Sequence, residues 1–156
     1  MRKIALVVFL AVCTGCVSVQ IPQYLRDQHP YKKEYFAGYD ETLAAVQKVL
    51  KNAEWKITST TDPVVFEATA QNKSSEDQRI LLFTESKQTS MFLFSSYSQL
   101  NIYVRALTNS TEVEIRYAAV LPLPFKQFRT YRNDSFVNKL LKRVADQLDK
   151  KYSTSQ

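Results

Sequence analysis

The chain is short of the residues that most active sites are made from. It holds two glycines, Gly15 and Gly38, one histidine, His29, and two cysteines, Cys13 and Cys16. With so few glycines, no phosphate-cradling loop, dinucleotide fingerprint or nucleophile elbow can be written anywhere along it. His29 stands beside Pro30 in a stretch without periodicity, a poor place for the rigid imidazole that a Ser-His-Asp triad needs. Both cysteines lie in the first 16 residues, so the rest of the chain supplies no thiol nucleophile and no His/Cys zinc site. Five prolines and 45% hydrophobic residues exclude a low-complexity or disordered chain. At 156 residues one domain is expected, and it is large enough to bury a core.

What is present begins with charge. The +6 surplus is uneven: residues 16–120 are close to neutral, whereas residues 121–156 carry 8 Lys or Arg against 3 Asp or Glu. Two readings stay open for the basic end, a solvated helix face or an attraction to anionic headgroups or an acidic partner. No nucleic-acid partner is expected.

Residues 1–16 read MRKIALVVFLAVCTGC. Arg2 and Lys3 precede nine apolar residues, Ile4 to Val12, and then Thr14 and Gly15 before Cys16. That is the anatomy of an export signal. Nine residues fall well short of the about 20 that span a bilayer as a helix. Thr14-Gly15-Cys16 resembles the bacterial lipoprotein signal, with Cys13 where Leu is usual. The resemblance implies cleavage before Cys16 and a lipid on that residue, with palmitate among its chains. It implies durable membrane attachment, since two or more chains anchor where one does not. Val17 follows, and the lack of an Asp there favours the periplasmic face of an outer membrane over the inner membrane. Residues 1–15 are thus expected to be a signal peptide. Residues 16–38, with Pro22 and Pro30, read as a lipid-bearing tether reaching roughly 25 Å. Residues 39–152 read as one domain and residues 153–156 as a frayed tail.

Within the domain, Asp40 reads as an N-cap, and Leu43, Val46, Val49, Leu50 and Ala53 give a helix of about 14 residues an apolar stripe. Alternation predicts strands around Trp55–Ser59, over 64–70 with Val64, Phe66, Ala68 and Ala70 on one face, over 79–85, over 99–107 and over 112–120. Asn72 to Gln78, with Glu76 and Asp77, reads as a polar loop. Leu100, Ile102 and Val104 face the core at even positions; Val113, Ile115, Tyr117 and Ala119 do so at odd ones. An antiparallel pair then matches residues summing to an odd number. Sums of 217 and 219 both give a short loop, setting Arg105 opposite Glu112 or Glu114 on the wet face. Pro122 and Pro124 are expected to end the sheet. Asn133 or Asp134 caps a last helix striped by Val137, Leu141, Val144 and Leu148. The predicted class is α+β, an antiparallel sheet of about five strands with an N-terminal and a C-terminal helix packed on one face. The order of elements is similar to the small helix-grip domains of envelope lipoproteins such as BamC.

Two stretches do not fit a plain core. Met91, Phe92, Leu93 and Phe94 are consecutively apolar, and one strand face cannot hold all four. Phe125, Phe128 and Tyr131 alternate with Lys126, Arg129 and Arg132. Both can be core or can form a partner- or membrane-facing surface, on which Met91, Phe92, Leu93, Phe94, Phe125, Phe128, Arg129 and Arg132 are the candidates. Glu112 and Glu114 share a strand face but lack a buried partner that would tune them for acid-base work, so they read as solvated. The expected function is a non-enzymatic, membrane-anchored envelope lipoprotein that binds an unknown envelope protein, with no cofactor. The alternatives are a small-molecule or lipid-binding domain with a cavity between helices and sheet, and an enzyme using carboxylates and Arg alone.

Overall fold

A computed structural model describes residues 19–27, 29–66, 78–91, 94–123 and 126–154. In chain order the elements are β1 (Tyr31–Tyr35), α1 (Tyr39–Asn52), β2 (Ile57–Thr61), a 3-10 turn (Pro63–Val65), β3 (Arg79–Thr84), β4 (Lys87–Met91), β5 (Phe94–Ala106), β6 (Thr111–Leu123), β7 (Lys126–Thr130) and α2 (Asp134–Thr154). All strand pairs are antiparallel. The sheet has seven strands in the order β1-β6-β5-β3-β2, with β4 also on β5 and β7 also on β6. The α+β class and the two flanking helices are those the sequence predicts; the strand number is not.

The centre is the β5–β6 hairpin. Its register is the 217 sum, running from Tyr97↔Val120 to Ala106↔Thr111. Alternation fixes it, because a one-residue slip would turn Leu100, Ile102 and Val104 out of the core and Asn101 and Tyr103 into it. Both helices lie on the face those residues share. Val46, Val49 and Leu50 of α1 and Val137, Leu141, Val144 and Leu148 of α2 form one buried cluster with Leu82, Leu100, Ile102, Val104, Val113, Ile115, Tyr117 and Ala119.

Helix ends follow local chemistry. Gly38, not Asp40, is the N-cap of α1, and it makes no side-chain cap; Asp40 and Glu41 instead sit in the first turn, where carboxylates favour the exposed N–H groups. Thr42 and Ala45 are buried while Leu43 is half-buried, so the stripe is rotated from its predicted centre. At the other end the Trp55 and Glu54 amides donate to the Leu50 and Lys51 carbonyls. Glu54 holds φ 58, the left-handed residue of that closing motif. It delivers Trp55 into the core beside Leu50. Asn133 caps α2, its side chain accepting from the Phe136 amide at 3.2 Å. The helix continues to Thr154, beyond the predicted boundary at 152.

Three further expectations about strand placement are corrected. Residues 31–35 are a strand on β6, not tether, and Tyr31 and Tyr35 are buried. The Tyr31 hydroxyl donates to Asp134 Oδ1 at 2.5 Å and accepts from the Asn133 amide, while the Tyr35 hydroxyl donates to the Leu141 carbonyl at 2.6 Å. Two tyrosines four residues apart thereby tie the edge strand to α2. The 3-10 turn that Pro63 opens takes in Val64 and Val65, the first residues of the predicted 64–70 strand, with the Asp62 carboxylate accepting from the Val64 amide; residues 67–77 lie outside the described residues. Leu121 to Leu123 do not end the sheet, because β6 runs through Pro122 and pairs with β7. Pro122 lies two residues beyond the last rung to β5. Residues 87–91 and 94–98 are two paired strands, so the apolar run straddles a hairpin and need not share one face.

Leu50 is 2% and Leu141 4% exposed. Leu50→Ala and Leu141→Ala are each expected to cost about 2–5 kcal/mol in denaturant unfolding. Losses under about 0.5 kcal/mol at both would mean that the stripes do not meet in one core.

Burial raises the Tyr35 hydroxyl well above its ordinary pKa of 10.0, and desolvation moves Tyr31 and Tyr39 the same way. A group whose folded pKa is raised stabilises the fold below its unfolded pKa and loses that contribution as pH climbs toward the folded value. Stability is therefore expected to fall above pH 10.0, and less steeply in Tyr35→Phe. At neutral pH that variant should cost about 1–2 kcal/mol, for the lost bond to Leu141. Identical alkaline slopes in the two proteins would contradict this.

Candidate functional site

The face of the sheet turned away from the helices is also covered. Residues 19–27 cross it as a strap. Leu25 is 1% exposed, and its amide donates to Asn101 Oδ1 at 2.6 Å. The Asn101 and Gln99 side-chain amides donate to the Gln23 carbonyl at 3.0 and 3.2 Å. Tyr24 stacks on Phe66 at 4.8 Å, and Phe66 meets Phe83 edge-on at 5.5 Å. With Leu81 and Tyr103 these rings make a second, smaller core. Thus Leu81, Leu82 and Phe83 can all be buried, because β3 is covered on both faces.

The strap also buries charge. Glu114 and Arg116, expected on a wet face, are 4% and 8% exposed. Arg116 Nε and Nη2 both lie 2.6 Å from Glu114 Oε1, and Lys32 Nζ lies 3.1 Å from Oε2. Arg116 Nη1 donates to the Tyr24 hydroxyl at 2.7 Å and the Leu25 carbonyl at 3.3 Å. Its guanidinium sits 5.4 Å from the Tyr24 ring centre. Two cations hold Glu114, one at each carboxylate oxygen. Arg105 and Glu112 pair at 2.9 Å, as the 217 register requires, and both keep partial contact with solvent. Among the described residues no group of three or more His, Cys, Asp or Glu could hold a metal ion, and no helix is long and apolar enough to cross a membrane.

The candidate surface residues divide as follows. Cys16, Phe92, Leu93 and Phe125 lie outside the described residues. Met91 closes β4 opposite Phe94, the first residue of β5. Phe128 on β7 is opposite Leu121, and Arg129 is opposite Val120. Partners across an antiparallel ladder share a face. Phe94 therefore shares the helix-side face with Leu100, and Phe128 shares it with Leu121 and Tyr117. Phe94, Phe128 and Tyr131 are 44%, 48% and 43% exposed. Arg132 is tied down by the His29 carbonyl and Asp134, and its guanidinium lies 4.5 Å from the Tyr31 ring centre. Lys126 Nζ lies 4.9 Å from the Phe128 ring centre.

Topology brings the two stretches together. The β5–β6 rungs stop at Tyr97↔Val120, and past them β5 pairs only with β4 and β6 only with β7. The β4–β5 and β6–β7 hairpins therefore project side by side from one end of the sheet. On the strap side of this end an open groove of about 790 Å³ is lined by Val19 to Pro22, Gln88, Tyr97, Gln99 and Arg129. A smaller recess of about 260 Å³ lies between helices and sheet, walled by Trp55, Tyr117, Phe136 and Lys87. Sequence reasoning missed Phe36, 86% exposed at the far end with Leu107 and Val65. No pattern distinguished it from a tether residue.

Leu25→Ala is expected to cost about 2–4 kcal/mol, as a core residue does, whereas a tether position would cost nothing. Glu114→Gln leaves Arg116 buried with its charge uncompensated and should cost about 3–5 kcal/mol, against under 1 kcal/mol for the half-exposed Lys32→Ala. Equal and small losses at all three in urea unfolding would mean the strap does not close over the sheet. No protein-family model matches this chain, and no curated protein matches it.

Proposed function

We propose that the chain is a membrane-anchored envelope lipoprotein, held by a lipid on Cys16, whose domain acts without catalysis as an interaction or structural module. The observation that carries this reading is where the chain meets the domain. Val19 lies against the hairpin end, three residues after Cys16. Three residues span at most roughly 11 Å. A lipid on Cys16 would therefore sit close to the folded surface.

The chemistry of the described side chains supports the non-enzymatic half. Glu114 is saturated by Arg116 and Lys32, and Glu112 is paired with Arg105. His29 is exposed, and its amide donates to Asp27. The exposed Phe94, Phe128 and Phe36 are the kind of residue that contact surfaces use. The leader and Val17 fit the periplasmic face of an outer membrane, and the partner of such a module would be another envelope protein. The second reading, a ligand-binding domain, has the aromatic recess at Trp55, Tyr117 and Phe136 in its favour. At about 260 Å³ that recess falls short of the roughly 300 Å³ at which ligand pockets begin.

Cys16→Ser is expected to abolish labelling by a palmitate analogue and to release the protein from the membrane pellet or leave it unprocessed. Retained label, or unchanged fractionation of a processed chain, would overturn the anchor. Crosslinking in intact envelopes should recover the wild-type domain with a second envelope protein.

A further inference from the structure

The end of the sheet that carries the paired hairpins differs from the rest of the surface in three ways at once. The first is composition. Residues 86–100 and 117–133, which include both hairpins, contain Lys87, Lys126, Arg129 and Arg132 and no Asp or Glu; Lys87 is paired with Glu54 and Arg132 with Asp134, so Lys126 and Arg129 carry the surplus charge. The second is the exposed apolar face. Phe94, Leu121, Leu123 and Phe128 share the helix side of the sheet there, yet none belongs to the core that the helices cover, and Phe94 and Phe128 are nearly half exposed. The third is position, since the strap begins at this same end. The far end is unlike it: Phe36 and Leu107 stand near Glu34 and Glu112, in a part of the sheet where acids and bases are mixed.

We propose that the hairpin end is a second membrane contact, lying on an anionic bilayer surface with Phe94 and Phe128 at the boundary between headgroups and acyl chains and with Lys126 and Arg129 facing lipid phosphates. The closeness of the bilayer rests on the Cys16 anchor proposed above; the choice of lipid rests on the hairpins themselves. A surface with a basic surplus is drawn to anionic headgroups, each cation near the surface contributing about 1 kcal/mol. Aromatic rings set beside cations suit an interface that is apolar on one side and wet on the other. Held within a few residues of the bilayer, the hairpins meet it at high effective concentration, so a contact too weak to recruit a free protein still fixes the orientation of an anchored one. The domain then stands with the hairpins down and with Phe36, Leu107 and the 107–110 loop directed away from the membrane.

The test uses the full chain in a Cys13→Leu background, purified from membranes. Ser90→Cys marks the hairpin end and Asn109→Cys the far end, and both positions are exposed. Each is labelled with an environment-sensitive fluorophore and reconstituted into phosphatidylcholine vesicles with or without phosphatidylglycerol, carrying nitroxide headgroups as quenchers. Quenching at position 90 is expected to exceed that at position 109 several-fold, to grow with phosphatidylglycerol and to shrink in high salt. Lys126→Glu with Arg129→Glu should reverse most of it, and so should Phe94→Ser with Phe128→Ser, with melting temperatures unchanged. Equal quenching at the two positions, or none at position 90, overturns the proposal. So does protection of position 90 that needs added envelope proteins, which would make the surface a protein-binding one. The anchor is read separately: a chain with neither added cysteine takes up fluorophore only if the Cys16 thiol is free. If it is free, the same two labels are read in a Cys16→Ser chain, and hairpin-end quenching there sustains the lipid contact while the anchor fails.

Discussion

Ten rungs join β5 to β6, and neither strand is shared with just one further neighbour along its length. Each is 13 residues long, about 43 Å, longer than the usual strand of five or six residues. Over its inner half β5 takes β3 as its second partner and β6 takes β1; over its outer half β5 takes β4 and β6 takes β7. Because each long strand changes partner midway, the sheet has an inner half and an outer half with different surroundings. The inner half is packed on both faces, by the helices and by the strap with Phe66. The outer half extends beyond the main core, and its apolar side chains are left partly in water.

The same division explains how charge is buried. Asn101, Tyr103, Glu114 and Arg116 lie on the inner half of the strap-side face, with Asn101 opposite Arg116 and Tyr103 opposite Glu114. Once residues 19–27 close over them, Arg116 must find partners for its N–H groups, and it does so on Glu114, Tyr24 and Leu25. A buried ion pair of this kind adds little net stability against an apolar alternative, because desolvation offsets most of the Coulomb attraction. It does penalise any other seating of the strap, since Asn101, Gln99 and Arg116 all address backbone groups of residues 23–25. The polar cluster thus fixes where residues 23–25 cross the sheet.

Much of this was legible in the sequence. The β5–β6 register followed from the opposite parity of two apolar series, and both helices from stripes of period near 3.6. Much of what escaped has a common physical cause: those elements owe their place to neighbours distant in sequence. Tyr-Lys-Lys-Glu-Tyr buries only its two ends and carries no strand pattern, so β1 looked like tether. Residues 64–70 alternate well, yet Pro63 after Asp62 favours a turn over a ladder. Alternating Glu112, Glu114 and Arg116 looks solvated until a segment some 90 residues upstream covers two of the three. The β4–β5 hairpin has no Gly, Asn or Pro between Met91 and Phe94 to mark its turn.

For the candidate surface the same limit applied in reverse. Excess aromatic content flagged both stretches, but composition could not tell whether they belong together. The β5–β6 rungs end at Tyr97↔Val120, and both strands run on past that level toward the same end of the sheet, so the central register places both stretches at that end. A sheet end that is apolar on one face and carries a surplus of cations does not add to the core. Folding leaves it exposed at a cost in apolar surface, so its chemistry is better explained by what it contacts than by the stability of the domain that carries it.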